Sequence, residues 1–256
     1  MSTLDTVEFW DGFHERENTE WYLPVDVVAR EVLRVQDELT AQSPSSAKKL
    51  GPEDGAGIGG GSLTYGGDRR GESRSSGFGC RSRPRILHPG CGSSTLGVVL
   101  QREYSCDVVN ADFSEGVIES MSALYPDCEF VRSDARDASG FPKGSFDIAV
   151  DKGLFDSVTA RSQGREEVAK KFLGEAARLL AVGGKYMLFS AFSNDGMGHK
   201  DMASMLSHQS FGDLQIRVLD TPPLEYPDQN SSYLYILTKV EDGAAGLVED
   251  ATTSQH

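Results

Sequence analysis

The sequence predicts an α/β fold: a mostly parallel sheet with helices on both faces and an antiparallel pair at its edge. Three observations predict it. From Arg85 onward short apolar strands alternate with helical segments, the pattern of a parallel sheet whose crossovers are helices. Glycines or acids stand just past the ends of successive strands, where open α/β sheets hold their ligands. The last two strand-like segments, 214–219 and 232–239, follow one another without a helix between them and so pair antiparallel.

Taken in order, residues 5–40 read as helical. Phe9, Trp10 and Phe13, then Val27, Val28, Val32, Leu33 and Val35, recur at three- and four-residue spacing, and Pro24 divides them into two segments. Residues 41–84 lose all apolar period. Eleven of the 28 glycines fall within 51–79, and Ser, Arg and Pro fill much of the rest, so this stretch is expected to be a disordered insertion. Its Gly59-Gly60-Gly61-Ser62 run lacks both the preceding strand and the following Gly-Lys-Ser/Thr of a phosphate loop.

Ile86-Leu87-His88-Pro89 is the first strand, and Gly90-Cys91-Gly92 leads into a helix from about Ser93 to Tyr104 that Ser93 or Ser94 can cap. The second strand is 107–112, and Ser114 opens the next helix. Strands follow at 128–131 and 146–150, then a helix at about 165–181 carrying Val168, Phe172, Ala176 and Leu179-Leu180 on one face. Val182-Gly183-Gly184 ends that helix and leads into a strand at 185–190. The organisation expected is thus 1–40 as an N-terminal helical segment, 41–84 as the disordered insertion, 85–240 as the α/β domain and 241–256 as an acidic disordered tail.

Composition narrows the function. The formal net charge is −14, with ten acids against three bases in residues 1–40 and 21 against 14 in 86–240. Nucleic-acid binding needs clustered Lys and Arg, so this balance argues against it; a cationic substrate or basic protein partner fits better, as does simple solubility. Four cysteines (Cys80, Cys91, Cys106, Cys128) show no metal-ligand spacing, and no metal site is expected. No leader-like segment or membrane-length apolar run is visible, so a reduced, cytoplasmic location is expected.

Three features stand at strand ends. Gly90 and Gly92 leave backbone N–H groups open to close approach. Asp112 can accept both hydroxyls of a ribose, and Asp134, after the third strand, can accept from an adenine amino group while the N–H of Ala135 donates to a ring nitrogen. Together they indicate an adenosine-containing cofactor. The dinucleotide fingerprint Gly-x-Gly-x-x-Gly has Thr95 at its third glycine, which disfavours a pyrophosphate and favours a ligand without phosphates, such as S-adenosyl-L-methionine.

The segments Ile86–Gly97 (ILHPGCGSSTLG), Asn110–Ser114 (NADFS), Ser133-Asp134-Ala135, Phe146–Asp156 (FDIAVDKGLFD) and Arg178–Gly184 resemble class I S-adenosylmethionine-dependent methyltransferases. With Phe9-Trp10-Asp11, Glu20-Trp21-Tyr22 and the closing Tyr233–Lys239, they are similar to the group containing lysine methyltransferases of elongation factor 1-alpha. The resemblance implies a seven-stranded, mostly parallel Rossmann-like methyltransferase sheet with an antiparallel edge strand. It implies a cofactor lid in 1–40 and a methyltransferase domain in 85–240, with Gly90 at the methionine part of the cofactor, Gly92 in the same binding loop, Asp112 at the ribose and Phe113 beside the adenine. Asp134 and Ala135 would read the adenine, Lys152 would lie after strand four, and Trp10, His14 and Trp21 would cover the cofactor; plain core packing is the other reading of the two tryptophans. His88 stands where many such enzymes carry an acid.

A lysine acceptor must lose its proton before attack, since its free pKa is about 10.4, and a partly dry pocket with a steering carboxylate assists this. Asp151, with Phe155 lining the pocket, is the candidate for that acid; a helix-capping role is its alternative. The expected function is methylation of lysine in a protein such as elongation factor 1-alpha. A small-molecule methyltransferase, or a non-catalytic cofactor-binding module of the same fold, stays open.

Overall fold

The computed structural model describes residues 20, 22–41, 83–159, 164–192, 202–224 and 231–241. In chain order they form α1 (Val25–Ala41), β1 (Arg85–Pro89), α2 (Leu96–Tyr104), β2 (Asp107–Asp112), α3 (Glu115–Leu124), β3 (Glu129–Arg132) and β4 (Phe146–Lys152). Then come α4 (Leu154–Thr159), α5 (Arg165–Leu179), β5 (Leu180–Ser190), α6 (Met202–Met205), β6 (Phe211–Leu219) and β7 (Ser232–Lys239).

Strand alternation builds the layers. In β1, β4, β5 and β7 successive side chains point to opposite faces. Leu87, Ala149, Tyr186, Leu188, Tyr235 and Leu237 join one core beneath α5. Ile86, Ile148, Val150, Met187, Phe189, Leu234 and Ile236 join a second core on the other face. That second core is closed by Val28, Ala29, Val32, Val35 and Leu39 of α1 and by Leu96 and Leu100 of α2. The segment expected within a cofactor lid is therefore, over Val25–Ala41, a packed layer of the fold.

The sheet has seven strands in the order β3-β2-β1-β4-β5-β7-β6. β1, β2, β3, β4 and β5 pair in parallel, and β7 lies antiparallel between β5 and β6. The expected antiparallel pair is present, and the strand that runs against all the others is the penultimate one, with β6 at the edge.

Two boundaries differ from the sequence reading. α5 ends at Leu179, and Leu180 already pairs with Phe146; the register shift between Phe146 and Ile148 absorbs the extra residues. Gly183, with φ +82°, takes a left-handed conformation there, and a Cβ on Gly184 would lie 2.8 Å from the Ala181 carbonyl oxygen. The Gly-Gly pair thus makes a bulged strand start instead of a helix stop. α2 begins at Leu96 with Thr95 as N-cap, while the Ser94 hydroxyl accepts from Leu96 N–H at 3.2 Å. At α3 the expected cap holds: Ser114 accepts from Val117 N–H.

α2 lies close against β2 because residue 97 is glycine. A Cβ there would stand 1.9 Å from Asn110 Oδ1, and Asn110 is itself committed to the Glu129 carbonyl and to His88. Gly97→Ala is expected to destabilise the fold by about 1–3 kcal/mol, the usual cost of overpacking, read as a lower urea midpoint with an unchanged slope.

Candidate functional site

The connections leaving β1 and β4 diverge to opposite sides of the sheet, opening a crevice at the carboxyl ends of these neighbouring strands. Gly90 (φ +60°) and Gly92 (φ +50°) turn the chain there in the left-handed region. A Cβ on Gly90 would lie 2.8 Å from the Leu154 side chain, so bare backbone is also required for the loop to pass α4.

Asp112, 4% exposed at the end of β2, ties this loop to the next. Its carboxylate accepts from Gly92 N–H at 2.9 Å and from Ser114 N–H at 3.0 Å. Cys91 between the glycines donates its N–H to the Ala111 carbonyl. Burial, with the neighbouring Asp112 charge, pushes the Cys91 thiol well above its ordinary range, so it stays neutral.

Next to Asp112 an open cleft of about 510 Å³ is lined by Phe113, Val131, Ser133, Asp134, Arg136 and Phe141, among others. Arg136 clamps Asp134 with three hydrogen bonds of 2.7–3.2 Å from its guanidinium and one from its backbone N–H. Burial raises the Asp134 pKa, but the Arg136 hydrogen bonds and charge outweigh it and hold the carboxyl below its ordinary value. Ala135 packs toward the core and lines a separate 20 Å³ void behind the cleft.

On the other side of the glycine loop, Lys152 Nζ pairs with Glu20 at 2.9 Å. Glu20 also accepts from Thr95 N–H at 2.7 Å, at the start of α2, and from the Ser94 hydroxyl. His88 is 1% exposed, and its Nδ1 faces Asn110 Oδ1 at 3.3 Å. Burial, followed by the Lys152 charge, lowers its pKa to about 4, so β1 carries no charge into the site at neutral pH.

Asp151 and Phe155 take other positions. Phe155 is fully buried, edge-on to Phe172 in the core. The Asp151 carboxylate, also fully buried, accepts from Leu154 N–H, Phe155 N–H and the Tyr186 hydroxyl. It caps α4, a helix of six residues that periodicity did not reveal. Asp156 accepts from the hydroxyls of Tyr22 and Ser190. Tyr22 in turn lies where a Cβ on Gly153 (φ +87°) would touch its ring at 2.6 Å.

Of the residues singled out in the sequence, the structure thus joins Gly90, Gly92 and Asp112 directly and places Phe113 and Asp134 in one cleft beside them. Lys152 is linked to the same loop through Glu20. Trp10, His14 and Trp21 lie outside the described residues. Glu20, Tyr22, Arg136 and Asp156 were not singled out; their only signal was that Glu20, Tyr22 and Asp156 belong to quoted blocks. Among the described residues, no group of three or more His, Cys, Asp or Glu could hold a metal ion, and no helix is long and apolar enough to cross a membrane.

The arrangement tests the cofactor. A pyrophosphate would seat on the first N–H groups of α2, but Thr95 N–H is already bonded to a carboxylate. A nucleoside without phosphates meets no such conflict: left-handed glycines, the Asp112 carboxylate and the cleft beside Phe113 suit it. Residues 87–188 match the family model described as a methyltransferase domain. The chain is similar to the class I S-adenosylmethionine-dependent methyltransferases. The cofactor of that class is S-adenosyl-L-methionine, and the residues present fit it.

Among curated proteins, the eEF1A lysine and N-terminal methyltransferase of Danio rerio is 35% identical over 111 residues, covering 42% of this chain and 16% of that protein. The EEF1A lysine methyltransferase 4 of Bos taurus is 33% identical over 117 residues, 42% of this chain and 46% of that one. The matches thus span less than half the length of either relative. A solved SAM-dependent methyltransferase from Methanosarcina mazei is 15% identical, with a TM-score of 0.47 over 64% of this chain and 95% of that one.

The acids of the β4–α4 corner make stability depend on pH. Burial raises Asp151 from 3.8 to about 7 and Asp156 to about 6, despite their hydrogen bonds. The folded state therefore holds these protons to a higher pH than the unfolded chain does. Their contribution is fully present below about pH 4 and is lost as pH rises to about 7. In Asp151→Asn the fall in urea-derived stability between pH 4 and 7 is expected to be shallower than in the wild type, whatever the variant's absolute stability.

Proposed function

We propose that the chain is an S-adenosylmethionine-dependent methyltransferase that N-methylates lysine in a basic protein, with elongation factor 1-alpha the first acceptor to test. The observation that carries the reading is the Asp112 carboxylate bridging Gly92 and Ser114 at two successive strand ends, within the segment that matches a methyltransferase domain. The names of the curated relatives and the acidity of residues 86–240 support the lysine acceptor.

In this reading Gly90 and Gly92 receive the methionine part, Asp112 the ribose hydroxyls, and Phe113 one face of the adenine. Asp134 accepts from the adenine amino group while sharing its oxygens with Arg136, and Ala135 N–H donates to the ring. Lys152 stands beside the methionine part, and Trp10, His14 and Trp21 cover the cofactor. When bound, the cofactor supplies a methyl group on a sulfonium, open to in-line attack by an amine. Positioning then accounts for most of the rate, and the chain's part is to orient the acceptor and dry its amine so that the proton leaves. Asp151 is a positioning residue: it holds the turn Lys152–Leu154 in place through its bonds to α4, and Phe155 anchors that turn in the core.

The test is transfer of labelled methyl from S-adenosylmethionine to purified elongation factor 1-alpha, followed by mass spectrometry of methyl-lysine. Transfer is expected for the wild type and background counts for Asp112→Ala. Absence of cofactor binding by calorimetry sinks the reading. The neutral His88 favours a second reading, a cofactor-binding module without activity; cofactor binding with no transfer to any acceptor would establish that instead.

A further inference from the structure

The Glu20–Lys152 pair is built more fully than anchoring Glu20 to the fold requires. The Glu20 carboxylate meets the Ser94 hydroxyl at 2.9 and 3.0 Å, Thr95 N–H at 2.7 Å, the Thr95 hydroxyl at 3.2 Å and Lys152 Nζ at 2.9 Å. The side chain of Lys152 is 4% exposed and that of Glu20 24%, so the pair is mostly dry yet open on the Glu20 side. Burial raises the Glu20 pKa, but the Lys152 charge and these hydrogen bonds more than offset it, and the carboxylate is ionised at neutral pH.

Charges held this dry must remain paired, so a ligand entering between them has to bring one charge of each sign. The amino-acid end of S-adenosylmethionine is such a group, with one ammonium and one carboxylate. The His88 side chain offers that ammonium no charge: it is neutral, buried and committed to Asn110. Ser94 and Thr95 belong to the turn that follows Gly92, so they fix the Glu20 carboxylate relative to the glycine loop itself.

We propose that Glu20 and Lys152 clasp the zwitterionic amino-acid end of the cofactor, Glu20 taking the α-ammonium and Lys152 the α-carboxylate. The inference rests on the cofactor reading above and adds to it a residue from outside the matched domain. Opening one ion pair to admit a zwitterion gives two, and no charge is stranded. The acid absent from the first strand is thereby supplied from the N-terminal side of the chain, across 132 positions of sequence from Lys152.

Two ligands separate this role from a purely structural one for the pair. S-adenosylhomocysteine carries the amino-acid end; 5′-methylthioadenosine keeps the nucleoside and sulfur but lacks it. By calorimetry, Glu20→Gln is expected to weaken S-adenosylhomocysteine roughly 10- to 100-fold, the range of a charged hydrogen bond, and to leave 5′-methylthioadenosine within about 3-fold. Lys152→Met should behave alike, and Glu20→Asp, which keeps the charge, should recover part of the loss. Equal weakening of both ligands, or of neither, overturns the proposal, the first outcome assigning Glu20 a structural role alone. A wild type that binds 5′-methylthioadenosine as tightly as S-adenosylhomocysteine overturns it while the cofactor reading stands. A wild type that binds neither overturns both.

Discussion

The site depends on one carboxylate. Asp112 takes backbone donors from the loop after β1 and from the start of α3, so the loops that follow β1 and β2 are held at a fixed separation. Each loop alone would need its own means of satisfying these N–H groups away from water. Sharing an acid meets both needs and leaves a negative charge in place at the strand end. The left-handed glycines, the close passage of Leu154 and the neutral Cys91 thiol are all consistent with a loop drawn tightly onto that point.

A second group of acids works mechanically. Asp151 satisfies the first N–H groups of α4, and Asp156, one turn along, receives Tyr22 and Ser190. The Asp-Lys-Gly-Leu-Phe-Asp block is thereby a joint at which the N-terminal segment, the end of β4 and the end of β5 meet. Gly153 belongs to it because the Tyr22 ring occupies the space a side chain would need. Lys152 projects from the middle of this joint toward Glu20, so the joint also determines where that cation stands.

Much of the parallel half of the sheet was legible because its strands are short apolar runs separated by amphipathic helices, and periodicity registers both. α4 is not, since six residues complete too few turns to show a period, and in sequence Asp151 stays open between a helix cap and a catalytic acid. A buried capping carboxylate and a substrate-steering one look the same in sequence; only the donors around them tell them apart. The setting of Phe155 is hidden for a related reason: only the fold shows its side chain turned into the core. The glycine pair after α5 was read as a stop because Gly-Gly is compatible with both a helix end and a bulge. Gly90, Gly92 and Asp112 were legible because strand ends in this topology converge. Glu20 was hidden as one of ten acids in its segment, and its partners lie far along the chain, where spacing carries no signal.

The position of β7 has a consequence for how the chain is made. Among the described residues β7 is the last strand in sequence, yet it lies between β5 and β6, and β6 has no other partner in the sheet. During synthesis β6 emerges first and finds its intended neighbour still inside the ribosome. Until Ser232–Lys239 has cleared the exit tunnel, the open side of β5 presents unpaired backbone groups along its length. The sheet therefore closes when β7 enters between two strands made before it, and the open edge of β5 persists from the synthesis of β5 until then.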